Sequence, residues 1–81
     1  MENLRNGLFV VGTPIGNLGD TPIRAKKILK GVNKIACEDT RVTGKLLSKF
    51  SIETPMAPYH DHNADKVRPG LISEMKNGSA I

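Results

Sequence analysis

The sequence predicts an α/β protein, a parallel sheet flanked by helices, and three observations carry that expectation. Short apolar runs of strand length alternate with stretches whose apolar residues recur at helical spacing, in the order β-α-β-α-β-α-β. The first run leads directly into a stretch bearing Gly12, Gly16 and Gly19 with Pro14 among them, the usual strand-to-helix turn of such proteins. No internal repeat, low-complexity tract or Ser/Gly linker divides the 81 residues, so residues 1–81 read as a single domain.

Taken in order, Leu8-Phe9-Val10-Val11 is wholly apolar, as expected of a strand covered on both faces. Pro22 suits a first helical turn, with Asp20 or Thr21 as its cap. Ala25, Ile28, Leu29 and Val32 then form one apolar stripe, and Gly31 reads as the terminator. Lys34-Ile35-Ala36-Cys37 is a second short strand, and Thr43, Leu46, Leu47 and Phe50 repeat the helical stripe. Pro55 closes a turn before a third strand, Met56-Ala57-Pro58-Tyr59. Val67, Leu71, Ile72 and Met75 mark a third helix, expected to start at Pro69 or to kink there. Asn77-Gly78 stops it, and Ser79-Ala80-Ile81 reads as the first residues of a fourth strand. Strands separated by helices favour parallel pairing with right-handed crossovers.

Composition narrows the possibilities. Hydrophobic residues make up 38 % of the chain, with no Trp, one Tyr and two Phe, so the core must be aliphatic and thin. No apolar run approaches the roughly 20 residues of a membrane span, and no signal-peptide core is present. Cys37 is the only cysteine, which rules out an internal disulfide and makes the reducing cytoplasm the expected location. At the end of an apolar run, Cys37 reads as a buried structural thiol rather than a nucleophile.

Net charge is +4, and its distribution is uneven: residues 24–49 hold Arg24, Lys26, Lys27, Lys30, Lys34, Arg41, Lys45 and Lys49 against Glu38 and Asp39 alone. A basic face of this kind attracts a polyanion such as RNA, and equally serves as a solvated helix surface. No aromatic residue interleaves with the first-helix lysines to stack on bases.

Three clusters are candidates for chemistry. The glycine-bearing turn, Thr13-Pro14-Ile15-Gly16 at its centre, suits a nucleotide-like ligand because glycine lets backbone approach closely and a helix start offers free N–H groups. It has neither the Gly-Lys-Ser/Thr ending of a phosphate-binding loop nor the spacing of a dinucleotide fingerprint, and a purely structural connection is the alternative. Glu38-Asp39-Thr40-Arg41 follows the second strand at the carboxyl end, where open α/β sheets place ligands. Its acids suit a ribose hydroxyl or proton transfer; alternatively Asp39 or Thr40 caps the next helix while Arg41 pairs with a carboxylate. Tyr59-His60-Asp61-His62-Asn63 follows the third strand. His60 and His62 share a face, but no third ligand stands at zinc spacing, so no metal is expected; a substrate contact, or a loop closed by Asn63, fits better.

In order and spacing, the blocks from Leu8 to Asp20, from Ile35 to Arg41, Lys45-Leu46-Leu47, and from Tyr59 to Asn63 resemble the ribosomal RNA small subunit methyltransferase I family, within the tetrapyrrole methylase superfamily. The resemblance implies a two-domain α/β fold that dimerises, in the cytoplasm. S-adenosylmethionine would be the methyl donor, and the ribose 2′-hydroxyl of a cytidine in 16S ribosomal RNA the acceptor. It makes Thr13, Pro14, Ile15 and Gly16 cofactor-binding, Glu38, Asp39 and His60 the catalytic candidates, and Arg41, His62 and Asn63 substrate contacts. The family carries a second cofactor loop after the fourth strand and then a C-terminal domain, so this chain would be a truncated N-terminal cofactor-binding domain, inactive alone. Asp61 stands where the family usually has Glu, and Asp20 is followed by Thr21-Pro22-Ile23 where the family's order is typically Asp-Ile-Thr. Two other functions stay open: a superfamily methylase acting on a small molecule such as a tetrapyrrole, and a non-catalytic RNA-binding or dimerisation module.

Overall fold

The computed structural model describes residues 6–12 and 17–81. A 3-10 turn at Leu18–Asp20 leads to helix α1 (Ile23–Gly31), strand β1 (Ile35–Cys37), helix α2 (Thr40–Lys49), strand β2 (Met56–Pro58) and helix α3 (Ala64–Lys76). β1 and β2 pair in parallel, Ile35 opposite Met56 and Cys37 opposite Pro58. The expected α/β class with parallel pairing is borne out.

Two further segments extend this sheet. The Gly7 N–H donates to the Ser79 carbonyl (3.0 Å), the Ile81 N–H to the Gly7 carbonyl (2.9 Å) and the Phe9 N–H to the Ile81 carbonyl (2.7 Å). Residues 7–9 and 79–81 therefore run side by side in parallel, bridged at Gly7 and Ala80. On its other flank Ala80 is clamped by Asn33, just before β1: the Asn33 N–H donates to the Ala80 carbonyl, and the Ala80 N–H to Asn33 Oδ1, both at 2.8 Å. Across the molecule the order is thus β2, β1, residues 79–81, residues 7–9. The expected fourth strand has begun, and it lies inside the sheet.

The stripes read from the sequence face inward. Ala25, Leu29 and Val32 from the first stripe, and Leu46 and Leu47 from the second, are buried, with Ile35, Ile52 and Ala80 closing the core between them. Burying one such aliphatic side chain contributes about 1.5–3 kcal/mol.

Several expectations need correction. The run at residues 8–11 is not covered on both faces: Phe9 and Val11 pack against the core, while Leu8 and Val10 are 67 % and 89 % exposed. Alternation along an extended chain explains this, since no layer lies over the outer face of that segment among the described residues. The N-cap position of α1 falls on neither Asp20 nor Thr21. Pro22 itself is the N-cap in an extended conformation, while the Asp20 N–H closes the preceding turn onto the Asn17 carbonyl. A residue at that position needs no intrahelical N–H, so proline is tolerated there. Gly31 is the last residue of α1, which ends when Val32 turns extended. α3 neither begins at Pro69 nor stops there; it begins at Ala64, started by the Ala64 N–H on the His60 carbonyl (2.8 Å), and Pro69 lies inside it on the exposed side.

α2 and α3 end alike. After α3 the Gly78 N–H reaches the Met75 carbonyl and the Ser79 N–H the Glu74 carbonyl, with Gly78 at φ +107°. After α2 the Ser51 N–H reaches Ser48 and the Ile52 N–H reaches Leu47, but here Ser51 adopts φ 54° where glycine is usual. A side chain in that left-handed region costs about 1–2 kcal/mol. Ser51→Gly is therefore expected to raise the free energy of unfolding in urea by about 1 kcal/mol. Leu46→Ala, at a site only 2 % exposed, is expected to lower it by about 2–5 kcal/mol. A Leu46→Ala chain as stable as the original would mean that this core does not hold the fold.

Candidate functional site

Parallel pairing puts the carboxyl ends of β1 and β2 on one edge. The Tyr59 N–H still bonds the Cys37 carbonyl at 2.8 Å, so Glu38-Asp39 and His60 leave the sheet from adjacent positions. Residues 10–12 reach the same side as the leading segment runs parallel to its neighbours. Between the leading segment and β1 lies a trough of about 460 Å³, walled by Phe9, Val11, Leu29, Cys37 and Leu46, with Glu38 and Asp39 at its outer end. Among the described residues, no heavy atom comes within 4 Å of where a Cβ would stand at Gly12. Thr13, Pro14, Ile15 and Gly16, expected to hold the cofactor, lie outside the described residues.

The acids behave differently. Asp39 is the N-cap of α2: its Oδ1 accepts the Arg41 N–H at 2.9 Å, and the Arg41 Nε stands 3.6 Å from the same oxygen. That backbone hydrogen bond first, and the guanidinium charge with it, hold the Asp39 carboxyl below its ordinary value of 3.8. A carboxylate held that way is a weak proton acceptor. Glu38 is exposed and forms no ion pair among the described residues. The Arg41 side chain is 90 % exposed, so its long contact with Asp39 leaves most of its donors to solvent.

The third-strand cluster is a self-braced turn. Asn63 Oδ1 accepts the His60 N–H (2.8 Å), and its Nδ2 donates to the Pro58 carbonyl (2.9 Å), so both ends of that amide close the loop. The His62 N–H donates to His60 Nδ1 at 3.2 Å, which places the proton of a neutral His60 ring on Nε2. The two imidazoles meet edge to face at 5.8 Å. Arg68, a residue that sequence reasoning passed over, donates from Nε to the Tyr59 hydroxyl at 2.8 Å. Nine positions separate the pair, and only the early start of α3 brings them together. His60, His62 and Asn63 stand outside the trough's lining, so the structure joins Glu38 and Asp39 to the trough and the histidines to the edge beside it.

The basic stretch is partly absorbed by the fold. Lys34 binds both oxygens of Glu74 at 2.8 and 3.0 Å, and the Lys26 ammonium lies 4.4 Å from the centroid of the Phe50 ring. Arg24, Lys27 and Lys30 remain exposed along α1. Cys37 is half-buried with its Sγ 4.0 Å from the Ala57 carbonyl, at the wall of the trough. No helix among the described residues is long and apolar enough to cross a membrane.

A carboxyl edge of a parallel sheet, here with acids and imidazoles on adjacent loops, is where open α/β proteins place their ligands. The chain is 50 % identical over 74 residues, 91 % of its length, to the ribosomal RNA small subunit methyltransferase I of Synechocystis sp., covering 26 % of that protein. It is 45 % identical over 78 residues to the one from Rickettsia prowazekii, covering 96 % of this chain and 28 % of that protein. With the one from Vibrio cholerae it shares 47 % identity over 74 residues, 91 % of this chain and 26 % of that protein. No protein-family model matches the chain. Across the segment it covers, the chain is a homologue of ribosomal RNA small subunit methyltransferase I, as its four sequence blocks imply. It spans about a quarter of the length of these relatives.

The Asp39 cap has a pH signature. A folded-state pKa below the unfolded one contributes stability above the ordinary carboxylate value and loses it as pH falls through the lowered one. The unaltered chain should therefore melt at a higher temperature than Asp39→Asn near pH 6, and the gap should close below about pH 3.8. A gap independent of pH would show that the charge of Asp39 contributes nothing to the cap.

Proposed function

We propose that this segment is part of the cofactor-binding domain of an S-adenosylmethionine-dependent methyltransferase that modifies the ribose 2′-hydroxyl of a cytidine in 16S ribosomal RNA. The observation that carries it is the sequence identity with the named methyltransferases over 91–96 % of the chain. The edge fits the donor chemically: apolar walls at Val11 and Cys37 suit an adenine, and Glu38 and Asp39 suit ribose hydroxyls and a cationic sulfonium. Thr13, Pro14, Ile15 and Gly16 bind the cofactor in this reading. When bound, S-adenosylmethionine supplies a methyl group on an electrophilic sulfonium.

The chain's own residues then align the acceptor and take its proton. Glu38, exposed and unpaired in charge, accepts the proton of the 2′-hydroxyl as the new bond forms. Asp39 keeps α2 in place and fixes the start of the Arg41 side chain, whose planar fork grips a backbone phosphate. His60, with its ring proton on Nε2, donates to the ribose or phosphate. His62 flanks it, and Asn63 holds the turn that presents both. The exposed Arg24, Lys27 and Lys30 add attraction for RNA. The small ribosomal subunit in the cytoplasm is the partner, and the whole polypeptide works as a homodimer with its second domain closing the cofactor cleft.

The test uses the complete open reading frame that contains this chain. Calorimetry is expected to show S-adenosylmethionine binding to that polypeptide. Methyl transfer to 16S RNA, naked and in assembled 30S subunits, is expected to fall by about 10²–10⁴-fold in Glu38→Gln. Full activity in Glu38→Gln would remove Glu38 as the base. Absence of donor binding by the complete polypeptide would replace the enzyme with a non-catalytic module, and transfer to a tetrapyrrole but not to RNA would change the substrate class.

A further inference from the structure

Arg68 and Tyr59 form a pair at the carboxyl edge that takes no part in the chemistry assigned to Glu38, Arg41 and His60. Tyr59 is the first residue after β2, and its backbone is fixed there by the bond to the Cys37 carbonyl. Arg68 reaches back from the second turn of α3 and donates its Nε–H to the Tyr59 hydroxyl at 2.8 Å. The guanidinium carbon stands 5.9 Å from the ring centroid, so the fork sits at the hydroxyl rim of the ring.

Two properties set this pair apart from a brace. It is exposed: half of the Arg68 side chain is open to solvent, and water can replace a hydrogen bond placed there. The buried Leu71, not Arg68, fastens α3 to the fold. Donors are also left over. A phenol has one proton and two lone pairs, and one lone pair takes the Nε–H, so the hydroxyl proton is available to another acceptor. Of the remaining guanidinium nitrogens, Nη1 lies 3.5 Å from the Asp65 carboxylate, which is itself 99 % exposed. Nη2 has no partner among the described residues. An O–H beside a charged planar fork is a donor set that the oxygens of a phosphate accept.

The rest of the edge indicates where that phosphate belongs. Arg41 follows β1 and keeps most of its donors in solvent, while Tyr59 follows β2. The two strands are paired neighbours, about 4.8 Å apart. Guanidinium groups on adjacent loops suit a chain of phosphates better than an isolated one. We infer that Tyr59 and Arg68 together form a second phosphate grip for the RNA substrate, beside Arg41. Arg68 binds a backbone phosphate through Nη2, Tyr59 donates its hydroxyl proton to the same group, and Asp65 gives way. The bond to Tyr59 orients the fork before RNA arrives, which lowers the ordering cost of binding. The inference deepens the methyltransferase reading and rests on its RNA substrate.

The test uses the complete polypeptide and a 16S RNA transcript, with binding followed by fluorescence anisotropy as salt is varied. Arg68→Gln is expected to weaken binding about tenfold and to reduce the slope of log affinity against log salt by about 0.7–1. Tyr59→Phe keeps the ring, and is expected to weaken binding about threefold at an unchanged slope. Arg68→Lys should keep the slope but not the affinity, because an ammonium lacks the fork. In methyl transfer the losses should appear in KM for RNA rather than in kcat. Melting midpoints are measured alongside, and Tyr59→Phe keeps the test decisive should Arg68→Gln fail to fold. Variants with unaltered affinity and slope would overturn the inference and leave the pair as a brace of α3. If the unaltered polypeptide methylates RNA, that result removes only the second grip. A polypeptide that binds no RNA at all would remove the RNA reading with it.

Discussion

Parallel pairing is the constraint on which everything else in this molecule depends. Antiparallel strands would send successive loops to opposite ends, but here β1 and β2 point the same way and deliver Glu38-Asp39 and Tyr59-His60 to one edge. The pairing is short, three residues on each strand, and is held in place from outside: by the buried stripes of α1 and α2 and by the Asn33 clamp on Ala80. Because the crossovers are helices, the residues that follow each strand also start the next helix. Capping and chemistry therefore compete for the same positions on this edge.

That competition sorts the candidate residues. Asp39 and Asn63 satisfy backbone groups that would otherwise be left open at a helix start and in a tight turn. Glu38 and Arg41 flank Asp39 yet have little to do in the fold, as their exposure shows. The cap fixes the direction in which its neighbours leave the backbone, so a residue with a structural duty positions residues without one. The same logic applies to the turn at residues 60–63, where the Asn63 amide sets the backbone and His62 sets the tautomer of His60.

Much of this was legible in the sequence because the signals are local. The stripes Ala25, Ile28, Leu29, Val32 and Thr43, Leu46, Leu47, Phe50 depend on helical periodicity, and all face the core as read. The stop at Asn77-Gly78 depends on glycine tolerating φ +107°. Asp39 as a cap and Asn63 as a loop brace were among the readings the spacing allowed. What stayed hidden depends on partners distant in sequence. The exposure of Leu8 and Val10 is decided by which layers exist above the sheet. The Lys34–Glu74 pair spans 40 positions, and the Asn33–Ala80 clamp spans 47. Pro69 looked like a helix boundary because its local penalty is real, and the His60–Asn63 turn overrides it by starting α3 well upstream.

The apolar wall of the trough and the backbone beyond it at Gly12 meet different demands. The inner walls of the trough are held rigid by the buried Ile35, Leu46 and Val32. A ligand edge needs backbone that can approach closely, which glycine at position 12 allows. The change occurs within a few residues: Phe9 and Val11 pack inward, while at Gly12 no described heavy atom stands within 4 Å of a Cβ position. The exposed Glu38 and Asp39 follow β1 directly, so the part of the sheet that stores stability gives way within two residues to groups that solvent reaches.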